Sequence, residues 1–64
     1  MAKTVNVLAL HKQESRYMFM FQDRDLPKLL QTLGRYAADP ELDFTWHDAA
    51  VLANKARKLV DNQL

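Results

Sequence analysis

The chain has 64 residues, of which 48% are hydrophobic and 27% charged, with a formal net charge of +1 and no cysteine. These values argue against a second domain, a disordered tail, a disulfide-stapled scaffold, a thiolate metal site and a partner selected by bulk charge alone. A domain of this size buries only about 60% of its unfolded surface, and ordering it costs on the order of 100 kcal/mol; the usual remedies are disulfides, a metal or a partner chain, and the first is excluded together with any thiolate-bound metal.

The absence of cysteine fits a reducing compartment. Lys3 is followed by polar Thr4 and Asn6, and His11 and Lys12 soon break the apolar run, so no signal peptide is expected. No apolar run reaches the ~18 residues that a membrane span needs. The expectation is a cytoplasmic protein without a membrane segment.

The stretch from residue 4 to residue 11, Thr-Val-Asn-Val-Leu-Ala-Leu-His, is rich in β-branched and apolar residues and predicts a first strand. Lys12-Gln13-Glu14-Ser15 is polar throughout and predicts a four-residue turn, because the Asn-Gly or Asp-Gly pair of a two-residue turn is missing. Residues 16–22 then predict a second, antiparallel strand. It carries five consecutive bulky apolar residues, Tyr17, Met18, Phe19, Met20 and Phe21. If His11 pairs with Arg16, one face of the hairpin carries Val5, Val7, Ala9, Met18 and Met20. The other carries Leu8, Leu10, Tyr17, Phe19 and Phe21. Both faces are apolar.

Asp25 is placed to cap a helix over residues 26–38, accepting the amide of Lys28, with Pro27 in the first turn. Leu26, Leu29, Leu30, Leu33, Tyr36 and Ala37 recur at helical spacing. Gly34, at the edge of that stripe, would let another helix come close, or end the helix early. Asp39-Pro40 stops the helix, since the residue before proline avoids the helical region. Thr45 and Asp48 have the spacing of a capping box, with Phe44 before it as a staple on Ala49. The second helix is expected over residues 46–62. Trp46, Ala49, Ala50, Leu52, Ala53, Ala56, Leu59 and Val60 fall on its apolar half. The order ββαα defines a single α+β domain over residues 1–64.

A two-stranded ribbon makes a poor core. The short 39–44 connection favours helices side by side on one face, which leaves the other face bare. A homodimer, by edge pairing or face stacking, resolves this. The alternative is a monomer whose helices straddle the ribbon. The candidate self-association residues are Tyr17, Met18, Phe19, Met20 and Phe21.

Catalytic signatures are missing. His47 and Asp48 are adjacent on a helix and point about 100° apart. A site using His11 and His47 would need Asp23 or Asp43 brought in by the fold. Gly34 is the only glycine and Ser15 the only serine, so neither a phosphate loop nor a serine triad can be assembled. The expectation is a non-enzymatic protein with no cofactor and no metal. It would act as a protein-interaction module.

Two resemblances add to this reading. The order strand, helix, helix from Arg16 onward, with Thr45-Trp46-His47-Asp48-Ala49-Ala50 opening the last helix, resembles the ribbon-helix-helix regulators. That resemblance implies a dimeric nucleic-acid binder, with Lys12, Arg16, Arg24, Lys55, Arg57 and Lys58 as candidate contacts. Such proteins present polar side chains from one strand face to the major groove. Here those positions hold methionines or aromatics, and an extra strand precedes. The run Arg16-Tyr17, Phe19, Phe21, then Leu33 to Trp46, then Asp48 to Leu52 is similar to a group of short bacterial proteins of unknown function, and implies no activity.

Overall fold

The computed structural model describes residues 5–61. Its elements are β1 (Asn6–His11), β2 (Arg16–Phe21), a 3-10 turn (Asp23–Asp25), α1 (Leu26–Ala38) and α2 (Trp46–Asp61). This is the expected ββαα order. Thr4 and Asn62, expected at the ends of the first strand and last helix, lie outside the described residues.

The hairpin is antiparallel, with His11 opposite Arg16, Leu10 opposite Tyr17, Leu8 opposite Phe19 and Asn6 opposite Phe21. The four-residue turn is closed by Lys12 N–H donating to the Ser15 carbonyl at 2.8 Å. Because side chains alternate across a strand, this register fixes the two faces as the sequence predicts. Both helices pack on one of them, α1 along β2 and α2 along β1, side by side. Leu8, Phe19 and Phe21 from the sheet meet Leu29 and Leu33 of α1, Phe44 of the connection, and Ala49, Leu52 and Ala56 of α2. Leu33, Leu52 and Ala56 are almost completely buried.

Aromatic rings close one end of this core. Tyr17, Phe19, Tyr36 and Phe44 stand edge to face, with centroids 5.1 Å apart for Tyr17 and Phe44 and 5.2 Å for Phe19 and Tyr36. Such pairs contribute roughly 0.5–1.5 kcal/mol each beyond their burial.

The helix ends correct two expectations. Asp25 stands at the N-cap of α1 but makes no capping side-chain bond. Its backbone, at φ −94° and ψ 7°, continues the preceding 3-10 turn. A capping side chain requires an extended backbone, from which it folds over the helix end. Gly34 neither ends α1 nor admits a close neighbour: a Cβ there would meet no heavy atom within 4 Å. The C-terminal end follows expectation. Asp39 is extended before Pro40, at φ −86° and ψ 112°, and its carboxylate accepts the Glu41 N–H at 2.9 Å.

Candidate functional site

The alternation along β2 divides the five predicted self-association residues. Phe19 and Phe21 are buried and Tyr17 is half-buried, all under the helices. They are core, and to that extent the expectation is corrected. Met18 and Met20 point the other way and are 62% and 71% exposed. Opposite them in the ladder stand Ala9 and Val7. Val7 and Val5 are each 52% exposed. The uncovered face is therefore Val5, Val7, Ala9, Met18 and Met20, one of the two sets the register predicts. Val5 and Val7 are the members that attention to the β2 run alone passes over. Their signal is the two-residue period of β1.

This face is bordered by polar flanks. On the β1 side a groove between strand and α2 is lined by Val7, Ala9, Lys55, Lys58 and Leu59. On the β2 side Met18 and Met20 share a groove with Asp25, Lys28, Leu29 and Thr32 of the α1 flank. Apolar side chains surrounded by a polar rim are the arrangement of an association surface.

Polar contacts fasten the hairpin at both ends. At the open end, Asn6 is buried on the covered face and its Nδ2 donates to Asp23 Oδ1 at 2.6 Å. At the turn end, Lys12 Nζ lies 2.7 Å from Asp48 Oδ2 and 3.2 Å from Asp43 Oδ1. Asp48 also completes the capping box: its Oδ2 accepts the Thr45 N–H at 2.9 Å, and its own N–H donates to Thr45 Oγ1 at 3.0 Å. The Lys12 hydrogen bond, followed by the Thr45 amide, holds the Asp48 carboxyl below its ordinary value, and the hydrogen bond to Asp48 raises Lys12. This cluster is a structural clamp between turn and helix.

Of the six candidate nucleic-acid contacts, Lys12 and Arg16 line one groove at the hairpin turn, and Lys55 and Lys58 line another beside β1. Lys12 is engaged by two carboxylates. Arg16 begins β2 and Arg24 lies just past its far end, about 20 Å away along a strand of this length. Lys55 and Lys58 flank β1, while Arg57 lines a different groove, between α1 and α2. None of these three grooves holds all six.

The groove between α1 and α2 holds a further correction. Trp46, placed by helical period in the apolar half of α2, is 64% exposed. It stands in the first turn of the helix and lines the groove with Leu30, Gly34, Ala50 and Ala53. His11 and His47 are both exposed. Among the described residues no three His, Cys, Asp or Glu side chains are grouped to hold a metal ion, and no helix is long and apolar enough to cross a membrane. No protein-family model, no curated protein and no solved structure matches the chain.

Proposed function

We propose that this chain is a small protein-interaction module whose first partner is a second copy of itself, joined through the uncovered face of the hairpin. The observation that carries the reading is the one-sided cover of the ribbon. Val5, Val7, Met18 and Met20 are each more than half exposed on one face, while both helices lie on the other.

Full burial of side chains of this size contributes roughly 1.5–3 kcal/mol each. Four of them, a little over half exposed, leave roughly 4–7 kcal/mol per copy unrealised. Two copies together reach a gain comparable with the 4–15 kcal/mol that association costs. The apolar gain of these four side chains therefore offsets the cost of association, and a pair in the micromolar range, which needs about 8 kcal/mol net, draws the surplus from the flanks of the face. A standard interface removes about 800 Å² per partner, roughly one sixth of the 4991 Å² surface. The hairpin face and its flanks, Lys28 on one side and Lys55 and Lys58 on the other, are the region able to supply it.

Sedimentation equilibrium between about 1 and 100 μM, a range that brackets such a constant, tests this directly. The expected result is a mass rising from one chain to two for the native protein, and one chain throughout for Met20→Asp. Met20 is exposed, so the substitution leaves the fold intact. A native mass of one chain at every concentration would refute the reading.

A further inference from the structure

We propose that Met18 and Met20 are an oxidation-controlled switch on this surface: a peroxide converts both thioethers to sulfoxides and the two copies separate. This rests on the self-association proposed above and names how that same surface would be regulated.

The chain contains no cysteine and three methionines, of which Met1 lies outside the described residues. Met18 and Met20 are 62% and 71% exposed, so their sulfurs are open to a dissolved oxidant in the single chain. They sit two residues apart on one strand face, ~7 Å from each other along the strand. Their cross-strand neighbours are the smaller Ala9 and Val7, which do not wall them in.

In the reaction a sulfur lone pair attacks one oxygen of hydrogen peroxide. The O–O bond breaks, an S–O bond forms, and water leaves. Sulfur is oxidised by two electrons and the peroxide reduced by two, so no further reductant or proton is needed. The product carries a polar S–O group where an apolar side chain stood. In the single chain that group faces water and is solvated. Between two copies it would be set against Val5, Val7, Ala9 and their counterparts, which carry no side-chain donor, with Lys28 and Thr32 as the donors along the flanking groove. Burying a polar group without a partner is unfavourable. Oxidation thus acts on association and leaves folding unaffected.

The experiment compares the native protein with the Met18→Leu/Met20→Leu double variant, each before and after hydrogen peroxide. Peptide mass mapping locates the added oxygens, sedimentation equilibrium gives the dimer constant, and circular dichroism follows the fold. The expected result is sulfoxide at both positions, a dimer constant weakened at least ~10-fold, and an unchanged circular dichroism spectrum. The double variant pairs and ignores peroxide. Native protein that still pairs within about twofold when both sulfoxides are present, an amount small beside the expected loss, overturns the inference and leaves the self-association standing. So does loss of pairing in the peroxide-treated double variant, which would place the sensitive group elsewhere. A single chain before any peroxide is added overturns the self-association, and the switch with it.

Discussion

Asp48 performs two tasks with one carboxylate: it accepts the Thr45 amide and, by pairing with Lys12, holds the hairpin turn to the start of α2. A carboxylate whose folded pKa lies below its unfolded value adds stability above the unfolded value and loses it as pH falls through the folded one. The native protein should therefore lose stability as pH drops below the ordinary 3.8 of Asp48. Asp48→Asn should flatten that acid limb in urea midpoints measured against pH. Lys12 works in the opposite sense. Its raised pKa contributes below the unfolded value and is lost at alkaline pH, above its ordinary 10.5. Thr45→Ala removes the reciprocal half of the box and should cost about 1 kcal/mol at any pH between these limits, read from the same urea curves. Gly34→Ala should do the reverse. Its Cβ meets nothing and the helix continues through it, so a gain of about 0.5–1 kcal/mol is expected.

Single residues mark where the sequence was legible and where it was not. Thr45 and Asp48 were readable because a capping box is local, four consecutive residues whose chemistry is complete in itself. Asp25 was misread because its cap depends on a backbone angle set by the 3-10 turn before it. Asn6 is the least legible. The register puts it on the covered face opposite Phe21, where an amide would argue for exposure. Its partner Asp23 is 17 residues away, and only the closed hairpin brings them together.

At the scale of elements, the helices are distinguished by what their apolar stripes meet. Leu29 and Leu33 of α1 and Leu52 and Ala56 of α2 meet the sheet and are buried. Trp46 belongs to the same half of α2 by period but lies in the first turn and stays open. Phe44, one residue before the helix cap, touches Tyr17, Phe19 and Tyr36 instead. The two large aromatic residues on either side of Thr45 should therefore behave oppositely. Phe44→Ala should cost about 3–5 kcal/mol, a large share of the stability of a domain this small. Trp46→Ala should stay within about 0.5 kcal/mol. Thermal denaturation followed by circular dichroism separates the two. Hydrophobic period alone could not, since it reports a face and is silent on how far along the helix the cover extends.

For the whole molecule, the sequence showed two apolar faces and left open which one the helices take. The outcome follows from shape. The aromatic side offers larger, more rigid surfaces for two helices to pack on, and Phe44 and Tyr36 complete a ring cluster only on that side. The bare face then has the smaller valines, the alanine and the two flexible methionines. If this face pairs two copies, stability depends on concentration through mass action. The thermal midpoint of the native protein should rise with concentration, and that of Met20→Asp should not, when both are scanned over a hundredfold range.

The contact between β1 and α2 joins the first described strand to the last described helix. It has a consequence for the nascent chain. A ribosome adds roughly 5–20 residues per second, so about 2–10 s separate the synthesis of Leu10 from that of Leu59. Through that interval the β1 half of the ribbon waits for the helix that will shelter it, and the half-made product shows apolar surface front and back. The apolar side chains of β1 are most open to unintended contacts during those seconds.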